Sequence, residues 1–293
     1  MKHSTTGERI AQIINYALLL LLAFLCLFPF YYVVVVSLST EAEVIRKGGL
    51  VWFPDNATLA AYEEMFSPRY GLLRAYQITL FRAVAGTALC LFFTFITSYP
   101  LSKAYLPGRG KFTFFIVFTL LFNGGLVPTY LVVKYLGLVD TVWALILPGV
   151  IGAFNVIIMK SFFEQLPPEI EESARVDGAG ELQTMVRILF PLTLPVMATV
   201  GLFYAVWHWN SYFDGIMYIN SPDLQPLQVV LRNILLNVAS NNTELSRYSA
   251  EETVSTHAVK LAAVVMTTVP ILLVYPFAQK YFTQGATLGA VKG

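Results

Sequence analysis

Six stretches of about 20 mostly apolar residues constrain this chain more than any other feature of its sequence. A helix needs roughly 20 such residues to cross about 30 Å of hydrocarbon. The sequence therefore predicts an all-α integral membrane protein in which residues 1–293 form a single transmembrane domain. The predicted membrane-spanning helices are Ile13–Ser37, Ile78–Tyr99, Phe112–Val133, Val142–Phe163, Leu192–Phe213 and Leu261–Phe282.

The composition agrees with a membrane protein. Of 293 residues, 56% are hydrophobic and 13% are charged, and a soluble domain usually carries about twice that charged fraction. A net charge of +1 offers no basic surface for nucleic acid. The run at Ile13–Ser37 is too long for a signal-peptide core and no small-residue cleavage site follows it, so we expect it to stay as the first span.

The distribution of positive charge predicts the orientation in the membrane. Positive residues favour the cytoplasm, and they concentrate in both termini and in the connections after the second and fourth spans: Lys2, Arg9, Lys103, Arg109, Lys111, Arg175, Arg187, Lys280 and Lys292. Both termini are therefore predicted to be cytoplasmic. Four positive residues in the first outer loop, about residues 40–76, count against this orientation.

The two outer loops, about residues 40–76 and 214–260, are rich in polar residues, proline and asparagine. They either dock a soluble partner or only cap the helical bundle, and composition does not decide between these alternatives.

The cytoplasmic connection at about residues 164–191 has the pattern of a helix that begins at Pro168. Proline suits the first turn of a helix, because its missing N–H would be unpaired there. Glu171 and Glu172 follow where the helix dipole favours carboxylates, and Arg175 is spaced for an ion pair with either of them.

Gly178 and Gly180 interrupt that helix, and a second helical segment is predicted from near Glu181 to Pro191, where the next span starts. Such a helix, turn and helix would form a short rigid lever against a soluble partner. The alternative is an ordinary amphipathic connection stabilised by its own carboxylates.

The same loop resembles the signature of permease subunits in binding-protein-dependent ABC importers, a Glu-Ala-Ala followed by Gly, then Ile and Pro. Ser173 replaces one alanine of the signature and Phe190 replaces a leucine. In that family the loop docks into a cleft of the ATPase subunit, so the resemblance implies type I ABC importer architecture. It makes Glu172 and Arg175 polar contacts and Gly178 the turn. The residues assigned to ATPase coupling are Glu171, Glu172, Ala174, Arg175, Asp177, Gly178, Ile188 and Pro191.

Further motifs resemble the carbohydrate branch of these importers, and within it the permeases for aldouronate and alginate oligosaccharides. The resemblance implies an ATP-driven importer of an oligosaccharide, an acidic one such as alginate or aldouronate oligomers, across the bacterial cytoplasmic membrane. These motifs are Asn123-Gly124-Gly125, Pro128-Thr129-Tyr130, Trp143-Ala144-Leu145, Trp209-Asn210 and the tail that starts at Gln279.

The resemblance also implies the partners: a second homologous permease subunit, two ATPase subunits, an extracytoplasmic solute-binding protein and membrane lipid. ATP and Mg would bind to the ATPase subunits, since this chain has no GxxxxGK[ST] phosphate loop. The fragment Gly108–Phe112 has the wrong spacing for one. No Ser-His-Asp, HExxH or CxxC arrangement indicates an enzyme, a cofactor or a metal site.

Two other functions remain open from the residues alone, a stand-alone secondary transporter and a structural membrane subunit without a transport path. Coupled transporters place ionisable residues near the middle of the membrane. Arg82 and Lys160 lie near the ends of their predicted spans, and no acidic residue lies centrally, which counts against secondary transport.

Aromatic and amide side chains mark a candidate sugar path. Sugars present apolar faces and hydroxyl rims, so their sites combine aromatic platforms with amide or hydroxyl groups. The alternative is an interfacial belt, since Trp and Tyr collect at membrane interfaces without any ligand. The candidates are Asn123, Asn155, Trp207, Trp209, Asn210 and Tyr212.

Overall fold

The protein, described here from a computed structural model over residues 6–240 and 256–290, is helical with no strand in those ranges. This confirms the predicted all-α fold class. The helices are α1 (Thr6–Ser37), α2 (Glu41–Arg46), α3 (Ala60–Met65), α4 (Leu72–Ser102), α5 (Arg109–Leu121), α6 (Leu126–Tyr135), α7 (Ala153–Phe163), α8 (Glu169–Val176), α9 (Glu181–Thr184), α10 (Phe190–Asn210), α11 (Phe213–Tyr218), α12 (Leu227–Ser240) and α13 (Thr256–Ala290).

Shorter helical turns fill several connections. Single 3₁₀ turns lie at Pro68–Tyr70, Val142–Leu145, Leu147–Gly149 and Pro222–Leu224, and a π-helical turn lies at Met185–Leu189.

Four helical segments are long and apolar enough to cross a membrane: Gly7–Ser37, Leu72–Ser102, Glu181–Asn210 and His257–Val274. They correspond to the first, second, fifth and sixth predicted spans. The third and fourth predicted spans are each a bent pair of helical segments, so the number of spans reaches six when each pair counts as one.

The third predicted span breaks between α5 and α6, which meet at 114°. Gly125 has a φ of +88°, a conformation that glycine adopts without steric strain. The side-chain oxygen of Asn123 accepts a hydrogen bond from the Gly125 N–H at 2.9 Å and closes the turn. Because α5 has 13 residues and a helix rises about 1.5 Å per residue, α5 alone is too short to cross the hydrocarbon.

The fourth predicted span bends by 50° between Val142–Gly149 and α7. Pro148 lies in the 3₁₀ turn before the bend, and the pyrrolidine ring removes a backbone donor that a continuous helix would use.

The chain divides into two compact units. One takes residues up to Tyr70 together with the described part of Leu231–Val269. Its buried cluster is formed by Val35 and Val36 of α1 with Val51, against which Leu261 of α13 packs. The prediction of a single domain over residues 1–293 remains a prediction.

The other unit takes Gly71–Val230 and the chain from Pro270 onward, and its core lies between α4, α7 and α10. Thr94 of α4 and the Tyr204 hydroxyl of α10 are hydrogen bonded at 2.8 Å, and Ser98 of α4 donates to the Val156 carbonyl of α7 at 3.1 Å. The core side chains are Cys90, Phe95, Tyr99, Met159, Phe163, Leu189, Val196, Val200 and Tyr204.

The predicted outer loops contain helices of their own. The first holds α2, α3 and the start of α4, and the second holds α11, α12 and the start of α13. Residues 241–255 of the second loop lie outside the described residues, as do Lys2 and Lys292 of the predicted cytoplasmic termini.

Candidate functional site

The connection at residues 164–191 forms the predicted helix, glycine turn and helix. After α8 the backbone reverses at Gly178, whose φ is +81°. The Gly178 N–H donates to the Arg175 carbonyl at 3.0 Å and the Ala179 N–H donates to the Ala174 carbonyl at 2.9 Å. These bonds satisfy carbonyls that the end of α8 would otherwise leave unpaired.

The second segment does not end at Pro191, contrary to the sequence prediction. It continues from α9 through the π-helical turn Met185–Leu189 into α10, so that Glu181–Asn210 is one helix of 30 residues. A π-helical turn interrupts the regular i to i−4 pattern of backbone hydrogen bonds. Such an interruption accommodates Pro191, since proline has no N–H to donate. The second half of the connection is therefore continuous with the helix of the fifth span.

The ion pairs of the connection also differ from the expectation. Arg175 donates to Glu181 at 2.7 Å and not to Glu171 or Glu172. Glu171 pairs instead with Lys103. The hydrogen bond to Glu181 raises the pKa of Arg175 above its ordinary value.

The remaining coupling candidates fall into two groups. Ala174 is buried, and Ile188 is half-buried in the π-helical turn. Glu172 and Asp177 are exposed, and neither forms an ion pair with any described residue. These two exposed carboxylates leave a polar surface at α8 and its C-terminal end accessible to another protein.

A cavity of about 450 Å³ lies between α7, α10 and the turn that precedes α7. Two of the sugar-path candidates, Asn155 and Trp207, line it. Asn155 is 8% exposed, and its side-chain oxygen is buried with no hydrogen-bond partner. The full lining is Gly149, Ile151, Gly152, Phe154, Asn155, Phe203, Tyr204 and Trp207.

An unpaired buried amide oxygen is unfavourable by about 1–3 kcal/mol. A ligand hydroxyl that donates to Asn155 would remove this penalty. The aromatic rings of Phe154, Phe203 and Trp207 supply the apolar faces that sugar rings pack against. The cavity thus combines both features expected of a sugar site.

The other sugar-path candidates lie outside this lining. Asn123 closes the turn before α6, and the Asn210 amide donates to the Val206 carbonyl of its own helix at 3.0 Å. Trp209 lies near the end of α10, and Tyr212 is exposed between α10 and α11.

Asp214 is a functional candidate that the sequence analysis missed. Its carboxylate forms an ion pair with Arg82, which is completely buried. Arg82 also donates to Nδ1 of His208 at 3.3 Å, and its guanidinium lies 5.8 Å from the centre of the Trp207 ring. The signal was present in the sequence, because an arginine inside a span requires a carboxylate or other acceptor nearby.

The family model for "Binding-protein-dependent transport system inner membrane component" matches residues 2–287. In Bacillus subtilis (strain 168), the protein LplC is 44% identical over 99% of this chain and 98% of its own length. The polygalacturonan/rhamnogalacturonan transport system permease protein YtcP of the same strain is 42% identical over 98% of this chain and 99% of its own length.

A crystal structure of a bacterial ABC transporter involved in the import of the acidic polysaccharide alginate contains a similar chain. The TM-score is 0.87 at 33% sequence identity, over 96% of this chain and 100% of that one. This agreement confirms the predicted type I importer architecture.

The matches extend over nearly the whole chain, so they favour a multi-pass permease subunit of the inner membrane over a stand-alone secondary transporter. This chain belongs to the family of inner membrane components of binding-protein-dependent transport systems.

Proposed function

We propose that this permease subunit imports an acidic oligosaccharide across the bacterial cytoplasmic membrane, driven by ATP hydrolysis on separate subunits. The observation that carries the proposal is the continuity of Glu181–Asn210. One helix begins in the exposed cytoplasmic connection and passes Trp207 of the cavity. A displacement of the connection therefore reaches the cavity without crossing a loop.

The connection docks on an ATPase subunit in this proposal. Glu172 and Asp177 supply exposed carboxylates to the contact, and Gly178 sets the angle between α8 and α9. ATP and Mg bind only to the ATPase subunits. A ligand shifts a two-state helical bundle only by binding its two states differently, so ATP must favour the closed ATPase pair and, through α8, one state of the permease.

The assembly contains a second homologous permease, two ATPase subunits and an extracytoplasmic solute-binding protein. Both termini and the connection at 164–191 face the cytoplasm. Two cations support this orientation, because Lys103 follows α4, Arg109 begins α5, and both lie beside the connection. Lys103 pairs with Glu171 of the connection, and Arg109 pairs with its Glu164.

The cavity takes an uncharged face of the sugar. Its lining residues include no cation, and the nearby guanidinium of Arg82 is neutralised by Asp214. Two similar proteins support an acidic substrate, because their names give polygalacturonan and alginate, and both of these are polyuronates. The carboxylates of the substrate are then bound by cations outside this cavity, on the partner permease or on the solute-binding protein.

The test is ATP hydrolysis in proteoliposomes that contain the complex purified through this chain. Oligouronides with their binding protein should stimulate hydrolysis, and uptake should follow. A Glu172→Ala, Gly178→Pro variant should lose the stimulation. Glu63→Ala, at an exposed carboxylate of α3, is the matched control and should keep it.

Three outcomes would contradict the proposal. If no ATPase copurifies with the wild-type chain, the protein works without one. If the double variant stays fully coupled, the connection is not the docking element. If neutral oligosaccharides stimulate hydrolysis and oligouronides do not, the substrate class is wrong.

A further inference from the structure

Glu181 joins three helices with a single carboxylate. One oxygen accepts a hydrogen bond from the Tyr99 hydroxyl of α4 at 2.9 Å. The other oxygen accepts one from Arg175 of α8 at 2.7 Å. Glu181 is itself the first residue of α9, so α4, α8 and α9 meet at this side chain.

The position of the Tyr99 hydroxyl is fixed by the core. Tyr99 is 7% exposed, and its ring packs edge-to-face on Phe163 at 5.6 Å between centroids. Aromatic pairs of this geometry hold a ring in one orientation. The hydrogen bond from Tyr99 therefore joins Glu181 of the connection to a side chain of α4 whose position is fixed by packing.

A second tie runs parallel to the first. Lys103, the residue after α4, forms an ion pair with Glu171 of α8, and both side chains are mostly buried at 12% and 16% exposure. The Lys103 ammonium also lies 4.5 Å from the centre of the Tyr99 ring. Partly buried pairs are screened less than exposed ones, so this contact resists separation of α8 from α4.

We infer that Glu181 is a positioning residue for energy coupling, which makes α4 move together with the cytoplasmic connection. The chain itself passes movement of the connection to α10. The Glu181–Tyr99 hydrogen bond passes the same movement to α4, and α4 carries Arg82, which lies beside Trp207 of the cavity. The inference rests on the proposed docking of residues 164–191 on an ATPase.

The test measures ATP hydrolysed and sugar taken up in the same proteoliposomes, with Tyr99→Phe, Glu181→Ala and the double variant. Tyr99→Phe keeps the ring in the core and removes only the hydroxyl. Each single variant should raise the ATP used per sugar by about threefold to tenfold, the range expected for loss of a typical hydrogen bond, since the Glu181 carboxylate is exposed and screened by water. The double variant should be no worse than Glu181→Ala, since both changes remove the same bond.

Tyr105→Phe is the matched control. The Tyr105 hydroxyl donates to Glu181 at 3.4 Å and accepts from Arg175 at 3.2 Å, but Tyr105 is exposed and follows α4, so these bonds do not reach the core. This variant should keep the wild-type ratio, and Glu181→Gln, which retains an acceptor for Tyr99, should recover part of the coupling lost in Glu181→Ala.

The inference is overturned if Tyr99→Phe keeps the wild-type ratio of ATP to sugar. It is also overturned if the variants lose the ATPase subunit on purification, because Glu181 would then only hold the docking surface. Failure of the proposed function is distinguished from both results, since it would appear as an absence of ATPase in the wild-type preparation.

Discussion

Arg82 of α4 and Asp214 of α11 form an ion pair in which the arginine is completely buried. One carboxylate oxygen accepts from the guanidinium at 3.2 Å, from the Ser211 hydroxyl at 2.8 Å and from the Gly215 N–H at 2.9 Å. The pair thus fixes the turn that follows α10 to the N-terminal half of α4. It also removes Arg82 as a free cation for an acidic sugar.

We predict that Asp214→Asn destabilises the protein by about 3 kcal/mol, because it leaves a buried guanidinium without a counter-charge. The check is the apparent Tm of the purified protein in detergent. Asp223→Asn is the control, since Asp223 is exposed and should melt like the wild type. Adding Arg82→Gln should recover part of the loss, and an unchanged Tm for Asp214→Asn alone would show that the pair does not hold the turn.

Gly86 of α4 lies directly against His208, so a side chain there has no room. A Cβ at Gly86 would lie 2.5 Å from Nε2 of His208. Gly86→Ala should therefore lower stability by about 1–3 kcal/mol, as overpacking does in other cores, again measured by Tm. Gly110→Ala meets nothing within 4 Å and should be neutral or slightly stabilising, since alanine favours a helix more than glycine does. If Gly86→Ala lowers the Tm as much in a His208→Ala background as in the wild type, the steric explanation is contradicted.

The parts of the site that sequence analysis predicted are those governed by local rules. Pro168, the carboxylates after it and Gly178 act within a few residues of themselves, so the helix, turn and helix could be inferred from spacing alone. The span lengths followed from apolar composition for the same reason.

The parts that it missed depend on contacts between distant residues. Lys103 and Glu171 are 68 positions apart, and Arg82 and Asp214 are 132 positions apart. Arg175 reaches Glu181 across the reversal at Gly178, which the helical spacing of i, i+4 pairs does not include. The two broken spans did have local signals, since the paired Gly124-Gly125 and the Pro148-Gly149 dipeptide lie inside apolar runs and predict turns.

Gly178 and Gly180 offer a matched pair of substitutions in the connection at residues 164–191. Both meet nothing within 4 Å, but only Gly178 has a positive φ. Gly178→Ala should therefore strain the turn by about 1–2 kcal/mol and reduce substrate-stimulated ATP hydrolysis by the complex. Gly180→Ala should leave stimulation unchanged, and Gly178→Asn should lie between them, since asparagine tolerates this conformation. Equal effects at the two glycines would rule out backbone strain as the cause.

Gly149 controls the size of the cavity. A Cβ there would lie 2.5 Å from Cη2 of Trp207, so Gly149→Ala must displace the indole that the proposed substrate packs against. We expect the substrate concentration for half-maximal stimulation of ATP hydrolysis to rise by up to about tenfold, equivalent to roughly 1.4 kcal/mol. Basal hydrolysis should not change. Recovery of affinity in a Gly149→Ala, Trp207→Phe variant would confirm the steric link, and unaltered affinity in Gly149→Ala would exclude the cavity from the sugar path.

Asp140 should make stability depend on pH, because the folded protein stabilises its charged form. The Ser221 hydroxyl donates to its carboxylate at 2.5 Å, and the N–H groups of Ser221 and Asn220 donate at 2.8 and 2.9 Å. These bonds, the Ser221 hydroxyl foremost, lower the pKa of Asp140 below its ordinary value of 3.8. A lowered pKa gives a stabilising contribution that is complete above the ordinary value and is lost as the pH falls through the folded value.

Asp140→Asn should thus have a lower apparent Tm than the wild type by a constant amount from neutral pH down to about pH 5, and the gap should close below about pH 4. Ser221→Ala should reduce the gap throughout, whereas Asp223→Asn should show none. A gap that persists unchanged at pH 3 would mean that the amide disturbs the turn by its shape and not by its missing charge.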